Sequence, residues 1–173
     1  MKQTLLTLFL LISIGLSQEY NLDELVERDG MYFEKYSDKP LRGKVYTMFG
    51  NKKVIMGRLV NGKFNGKWAY WYDNGQIKRE GRYRNGLMNS EWTYYYENGQ
   101  KDREATYKDG EFDGLETEWY ENGQKESERT YKDGESAGKW TYWHSNGQKS
   151  WEETYKDGVL IEETYWDKYG NKK

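Results

Sequence analysis

The side chains best suited to acid–base or metal chemistry are four glutamates, Glu80, Glu104, Glu128 and Glu152, which recur at intervals of 24 residues. Equivalent residues of a repeated hairpin lie two strands apart, about 9.6 Å in a sheet. Two carboxylates at that separation cannot share a metal ion, and lysines and arginines are interleaved with them. We therefore expect a solvated charged face, and the sequence predicts no metal site and no cofactor. A weak calcium site in the loop Asp109–Gly114 is the minor alternative.

The lone histidine, His144, is the other candidate for chemistry, since the chain has no cysteine. A catalytic triad needs a second group that orients the histidine at a cleft, and the sequence indicates no such partner. His144 occupies the position that Tyr72, Tyr96 and Tyr120 occupy in the other repeats. We interpret it as an aromatic replacement, and we predict no catalytic residue and no enzymatic activity.

Four aromatic residues at another repeated position are the candidates for binding a partner. We name Trp71, Tyr95, Trp119 and Trp143 the aromatic strip. Alternation along a strand places them on the face opposite the column that begins with Trp68. Aromatic residues are favoured at the centres of protein interfaces, so the strip is a candidate surface for contact with another protein. Two alternatives stay open: structural stacking between strands, and stacking on the sugar rings of an envelope glycan.

A repeated phrase positions these residues. YENGQK occurs at Tyr96–Lys101 and at Tyr120–Lys125, and variants occupy Tyr72–Ile77 and His144–Lys149. Asn-Gly between runs rich in Trp and Tyr is the strongest short signal for a hairpin, and it predicts a type I′ turn with positive φ at both residues. The predicted turn residues are Asn74, Gly75, Asn98, Gly99, Asn122, Gly123, Asn146 and Gly147. The second reversal of each repeat, as in GKFNGK, is predicted to be longer and looser.

A fixed period of 24 residues indicates an architecture in which each hairpin is stabilised mainly by its neighbours. We predict an all-β fold, an elongated single-layer antiparallel sheet of stacked 24-residue hairpins. Residues 18–46 form an N-terminal cap, and residues 47–173 form the array, with four clear repeats and degenerate ones at its ends. Columns of aromatic side chains hold the sheet together, at roughly 0.2–1 kcal/mol per cross-strand contact. Glu116 and Glu118 break the aromatic pattern in the third repeat.

Residues 1–17 have the pattern of a signal peptide. Lys2 precedes the apolar run Leu5–Leu16, and Gly15 and Ser17 are small residues suited to a cleavage site. The run is shorter than the roughly 20 residues that span a bilayer. A buried N-terminal helix and an uncleaved anchor are the alternatives. We expect an exported protein that is periplasmic, in the outer envelope or secreted.

The charge balance limits the classes of partner. The formal net charge is −2 at pH 7, and a weakly acidic protein is poorly suited to bind nucleic acid or an anionic lipid surface. The sequence therefore predicts another protein as the partner, with a glycan as the alternative. It predicts no nucleic acid partner and disfavours direct lipid binding.

Several motifs resemble the bacterial variant of the MORN repeat. They are GKWAYWYDNGQIK at Gly66–Lys78, GKWTYWHSNGQK at Gly138–Lys149, and TYKDG, which first occurs at Thr106–Gly110 and returns twice. The opening LVERDGMYFEKYSDKPLRGKV, Leu25–Val45, is similar to the lead-in of the YwqK-type antitoxin family of toxin–antitoxin systems. The resemblance implies stacked hairpins and a non-enzymatic scaffold for protein–protein interaction, in its narrower form an antitoxin-like inhibitor. An envelope-associated protein that binds a glycan or a membrane surface through the aromatic strip is the alternative.

Overall fold

The computed structural model describes residues 18–173, and the predicted signal peptide at residues 1–17 lies outside the described residues. Strands make up most of the described chain, which also has one 3₁₀ turn at Leu22–Glu24. The strands are β1 (Glu19–Asn21), β2 (Leu25–Arg28), β3 (Met31–Glu34), β4 (Gly43–Phe49), β5 (Lys52–Val60), β6 (Lys63–Trp71), β7 (Ile77–Arg84), β8 (Leu87–Tyr95), β9 (Lys101–Lys108), β10 (Glu111–Trp119), β11 (Lys125–Lys132), β12 (Glu135–Trp143), β13 (Lys149–Lys156) and β14 (Val159–Tyr165).

Twelve of these strands form one long, open sheet. Strands β4 to β14 lie side by side in chain order, each antiparallel to its neighbours. β1 adds to β4 in parallel at one edge, and β2 and β3 pair separately as a hairpin. The predicted all-β array of stacked hairpins is confirmed. β4 begins at Gly43, so it crosses the boundary that the sequence places between the cap and the array.

The two-residue turns join the strands at the opposite end from the one that the sequence predicts. Arg84 pairs with Leu87 and encloses Asn85 and Gly86, whose φ angles are 52° and 86°. Positive φ at both residues defines a type I′ turn, whose twist matches that of the flanking strands. Positive φ at both residues recurs at Asn61-Gly62, Asp109-Gly110, Asp133-Gly134 and Asp157-Gly158.

The repeated Asn-Gly phrase forms a three-residue loop, so the type I′ conformation predicted for it is wrong. The Tyr72 N–H donates to the Gln76 carbonyl at 2.8 Å, and the Gly75 N–H donates to the Tyr72 carbonyl at 2.9 Å. Within the loop only Gly75 has a positive φ, 84°, as in a type I turn closed by a left-handed glycine. The Asn74 side chain favours this form because its Oδ1 accepts the Gln76 N–H at 2.9 Å.

The other predicted turn residues occupy equivalent places. Gly99, Gly123 and Gly147 have φ angles of 85°, 81° and 83°. The side chains of the preceding asparagines accept the N–H two residues further on, at 2.9–3.0 Å, in each case: Asn98, Asn122 and Asn146.

The reversal predicted to be loose is in fact a continuous strand with a bulge. β8 runs through Ser90, whose φ is 65°, and its register against β7 shifts near that residue. Gly66, Gly114 and Gly138 stand at the same position of β6, β10 and β12, also with positive φ. A bulge of this kind adds residues to one strand, bends it and increases the local twist.

The core of this thin fold is a tryptophan column on one face. Trp68, Trp92 and Trp140 have exposed fractions of 1%, 0% and 9%. Tyr83 packs edge-on against Trp92, with ring centroids 4.8 Å apart. Glu116 takes the place of tryptophan in the third repeat and is also buried, so the polar break seen in the sequence lies within the core.

The N-terminal strands close the tryptophan column at the end near β6. Tyr32 of β3 stacks on Phe64 of β6, with ring centroids 4.7 Å apart. Leu41, Val45 and Leu59 are buried beside them. This part of the chain therefore supplies apolar contacts that the first repeat would otherwise lack on its outer side.

Candidate partner-binding surface

The aromatic strip lies on the face of the sheet opposite the tryptophan column. Each member is the last residue of its strand, follows a shift in register and is half-buried. The Tyr95 hydroxyl donates to Glu80 Oε1 at 3.0 Å, whereas Gly81, the next residue after Glu80, faces the ring of Trp92. The strip is therefore a row of four partly exposed rings at the ends of four strands, across one face of the sheet.

A lysine lies over each tryptophan of the later repeats. The ammonium nitrogen of Lys101 is 5.7 Å from the ring centroid of Trp119. The equivalent pairs are Lys125 with Trp143 and, beyond the strip, Lys149 with Trp166, at 5.7 Å and 5.8 Å. A cation over an exposed ring contributes about 0.5–1 kcal/mol. Each of these rings is thus fixed and partly covered on one side.

The repeated glutamates hold these lysines. Lys101 forms an ion pair with Glu104, three residues further on. The equivalent pairs are Lys125 with Glu128 and Lys149 with Glu152. Hydrogen bonding to Lys149 lowers the pKa of Glu152 below its usual range. In the first repeat Ile77 replaces the lysine, and Glu80 instead accepts a hydrogen bond from the Tyr95 hydroxyl.

A side chain of the preceding repeat fixes the backbone of each later strip residue. The Tyr96 hydroxyl donates to the Trp119 carbonyl at 2.6 Å. The equivalent bonds join Tyr72 to Tyr95 and Tyr120 to Trp143, both at 2.7 Å. Burial, with the nearby Asp102 carboxylate, raises the pKa of Tyr96 to about 12. Sequence reasoning missed this link, whose only signal is the constant spacing of 23 residues.

His144 serves the same purpose as these tyrosines. Its Nε2 lies 3.2 Å from the carbonyl oxygen of Trp166. A ring nitrogen therefore takes the place of the tyrosine hydroxyl, which gives a structural reason for a histidine at this position.

A groove of about 600 Å³ lies at the start of the strip, at Trp71. Ile55, which is 40% exposed, lines it together with Lys67, Glu80 and Arg82. An apolar pocket with a few charged groups around it suits the side chain of a bound partner.

Buried charges replace aromatic contacts in the third repeat. Arg129 lies 3.1 Å from Glu116 and 2.6 Å from Glu118, and Arg103 lies 3.4 Å from Glu116. Burial raises the pKa of Glu116, and Arg129 counteracts part of that effect. Two carboxylates and two guanidinium groups compensate one another here, so we assign the cluster to the core.

Two further observations concern residues 18–173. No group of three or more histidine, aspartate or glutamate side chains in this part of the chain is arranged to hold a metal ion. No helix within the same residues is long and apolar enough to cross a membrane. The side chains that the structure does bring together are the strip, its lysines and their glutamates.

Comparison with known families identifies the repeat. Residues 64–85, 88–109 and 112–133 match the MORN repeat variant, whereas no curated protein matches the chain. MORN repeats are generally scaffolds for protein or membrane interaction, and the family is typically non-catalytic. The similarity to the YwqK-type antitoxin family stays a prediction. The three matched segments follow one another along the chain, from β6 to the turn after β11.

Proposed function

We propose that this protein is an exported, non-catalytic repeat scaffold that binds another protein through the aromatic strip. One observation carries the proposal: the two aromatic columns of the sheet are buried to different extents. Trp68, Trp92 and Trp140 fill the core, whereas the strip on the other face stays partly exposed. The MORN repeat variants support a scaffold role.

The strip is ordered before any partner arrives. The Tyr96 hydroxyl fixes the carbonyl of Trp119, and Lys101 lies over its ring. Side chains that are already oriented lose little conformational entropy on binding, and Trp and Tyr are enriched among interface hot spots. The lysine–glutamate pairs around the rings supply the polar rim that protein interfaces have.

The same geometry favours a protein over a glycan. A sugar ring stacks on the open face of an aromatic ring, whereas Lys101 and Lys125 cover one face of Trp119 and Trp143. Retention of the protein on envelope polysaccharide, lost in a strip variant, would favour the glycan alternative. Binding to vesicles would favour a membrane surface.

The proposed site of action is outside the cytoplasm. Lys2 and the apolar run Leu5–Leu16 support export. N-terminal sequencing of protein from the cell envelope or the medium should begin near Gln18, and recovery of the full-length chain from the cytoplasm alone would contradict export.

A narrower form of the proposal is an antitoxin-like inhibitor. It rests on the similarity of Leu25–Val45 to the YwqK-type antitoxin family. It requires a partner that is toxic when produced alone and harmless when this chain is bound to it. A captured partner that is harmless when produced alone would exclude the antitoxin-like inhibitor, but it would not contradict the scaffold proposal.

Trp119→Ala tests the strip. The partner is captured from the native host with the parent chain, and its dissociation constant is measured for the parent, for Trp119→Ala and for Tyr131→Ala. Tyr131 is the matched control because its ring packs between Phe112 and Trp140, at 4.9 Å and 5.0 Å. We expect Trp119→Ala to lose at least about 2 kcal/mol of binding free energy while keeping most of its thermal stability. Unchanged affinity together with a midpoint as low as that of Tyr131→Ala would contradict the proposal.

A further inference from the structure

The rings of the aromatic strip recur at a constant interval across the sheet. Trp119 ends β10 and Trp143 ends β12, so two strand spacings separate them. Neighbouring strands lie about 4.8 Å apart, which places equivalent residues of successive repeats about 9.6 Å from each other. A partner that contacts successive rings in the same way must therefore present a similar group at intervals of about 9.6 Å.

Of the common regular backbone conformations, polyproline II matches this interval best. It has three residues per turn and a rise of about 3.1 Å, so every third side chain returns to the same face after about 9.3 Å. In a β-strand, residues three apart point to opposite faces. In an α-helix, the same face returns after seven residues, or about 10.5 Å. The spacing of the strip therefore favours a polyproline II segment that runs across the strands.

An aliphatic stem lies between two successive rings of the strip. Lys101 of β9 pairs with Tyr95 of β8, and its ammonium group lies over Trp119 of β10. The methylene groups of this lysine therefore span the space between the two rings, and Glu104 neutralises its charge. Proline is compact, apolar and uncharged, so it suits a surface made of two rings and a lysine stem.

Free hydrogen-bond donors accompany the rings. In the core, the indole N–H of Trp92 donates to the Arg82 carbonyl at 2.9 Å. Within residues 18–173, the indole N–H groups of Trp119 and Trp143 have no such acceptor, and they are not buried. A polyproline II backbone makes no internal hydrogen bonds, so its carbonyl groups are free to accept them. Aromatic-lined grooves bind Pro-x-x-Pro segments in other proteins.

We propose that the aromatic strip binds a proline-rich segment of the partner protein in the polyproline II conformation, with prolines three residues apart packed against successive rings. The inference rests on the proposed function, because it assigns the chemical class of the partner at the same surface. Lys101 pairs with Glu104, and Lys125 pairs with Glu128. These pairs leave the rim of the strip without a dominant charge, so it favours an uncharged segment over an acidic or a basic one.

Two peptides of identical composition test the spacing. PPSPPSPSSPSS has proline at its first, fourth, seventh and tenth positions, so one face of its polyproline II helix is entirely proline. PPPSSSPPPSSS has the same number of prolines, but no two of them lie three residues apart. Fluorescence anisotropy of each labelled peptide is measured with the purified protein, and circular dichroism verifies that both peptides form polyproline II. We expect saturable binding of PPSPPSPSSPSS that is at least about fivefold tighter than that of PPPSSSPPPSSS.

Substitutions in one strand then locate the binding site. Trp119→Ala should weaken binding of PPSPPSPSSPSS at least about tenfold, because it removes one ring and its N–H donor. Trp119→Phe keeps a ring and removes the donor, so it should give an intermediate loss. Leu115→Ala should bind as tightly as the parent. It is the matched control, because Leu115 is an exposed apolar residue of the same strand and lies outside the strip. The thermal midpoint of each variant verifies that it is folded.

Equal affinity for the two peptides would overturn the inference, and so would equal losses in Trp119→Ala and Leu115→Ala. The native partner separates this failure from a failure of the proposed function. If the partner loses affinity for Trp119→Ala while PPSPPSPSSPSS does not bind the parent, the strip binds a protein segment of another kind. A partner whose affinity does not change in Trp119→Ala would contradict the proposed function itself.

Discussion

The Tyr96 hydroxyl donates a 2.6 Å hydrogen bond to the backbone carbonyl of Trp119, 23 residues further along the chain. Tyr96 follows the end of β8, whereas Trp119 ends β10, so the bond joins strands that are not neighbours in the sheet. Successive repeats are therefore linked by side chains as well as by strand pairing. This is the nearest-neighbour coupling on which a repeat array depends.

Removal of this hydroxyl should destabilise the array. Tyr96→Phe keeps the ring and leaves the Trp119 carbonyl without its donor, so we expect a loss of about 0.5–1.5 kcal/mol in the free energy of unfolding, measured by urea denaturation. Tyr94→Phe is the control, because the Tyr94 hydroxyl makes only a 3.5 Å contact with that of Tyr107. Equal losses in the two variants would show that the hydrogen bond to Trp119 stabilises the fold no more than the Tyr94–Tyr107 contact does.

The two kinds of turn should respond differently to the same substitutions. Asn85 has a φ of 52°, whereas Asn98 is outside the positive-φ region. Asn85→Gly should therefore be more stable than Asn85→Ala by roughly 1–2 kcal/mol, since alanine is strained in the left-handed region. At Asn98 glycine should have no such advantage, because it only adds backbone entropy to the unfolded chain. Urea denaturation of the four variants measures both differences, and the reverse pattern would restore the type I′ turn at Asn98-Gly99.

The hairpins could be predicted from the sequence because their signals are local. Alternating Trp and Tyr residues identify the strands, and the recurring glycines fix the period. The sequence alone does not distinguish the two kinds of turn, because Asn74-Gly75 and Asn85-Gly86 are the same dipeptide. The pairing of Tyr72 with Gln76 lengthens one of the two loops, and the sequence does not reveal that pairing.

The members of the strip also follow from the period, but their contacts do not. Lys101 and Trp119 are 18 residues apart, and they meet only because β9 and β10 keep their register beyond a bulge. The juxtaposition of Glu153 and Glu163 depends on register in the same way, since the two residues are brought together by strand pairing and not by spacing.

The buried tryptophans Trp68 and Trp92 should require glycine on the preceding strand. A Cβ added at Gly81 would lie 2.3 Å from a ring carbon of Trp92, so Gly81→Ala should cost about 1–3 kcal/mol through overpacking. Ala105 stands at the equivalent position of β9, opposite the slimmer side chain of Glu116. Chemical denaturation of Gly81→Ala, and of the same change combined with Trp92→Phe, measures the effect. The smaller ring should recover part of the loss, and no recovery would locate the strain elsewhere.

Glu116 and Glu152 should make the free energy of unfolding depend on pH in opposite directions. Burial raises the pKa of Glu116 above 4.5, its ordinary value, so its contribution is fully present below about pH 4.5 and is lost as pH rises through the folded-state pKa. Lys149 lowers the pKa of Glu152, so its contribution is present above about pH 4.5 and is lost as pH falls through the folded-state pKa. The second effect should be small, because Glu152 lies near the surface and solvent screens the pair.

Glu116→Gln and Glu152→Gln test these signs through urea midpoints measured between about pH 3 and pH 8. Relative to the parent, Glu116→Gln should gain stability as pH rises above about 4.5, and Glu152→Gln should lose it. The test is the change of the urea midpoint with pH, and not its absolute value. Removal of the Glu116 carboxylate beside Arg129 and Arg103 also lowers the stability of the variant, by an amount that does not depend on pH over this range. A Glu116→Gln slope with the sign expected for Glu152→Gln would mean that the two arginines outweigh burial. The ion pairs of Glu116 with Arg129 and Arg103 would then stabilise the third repeat at neutral pH.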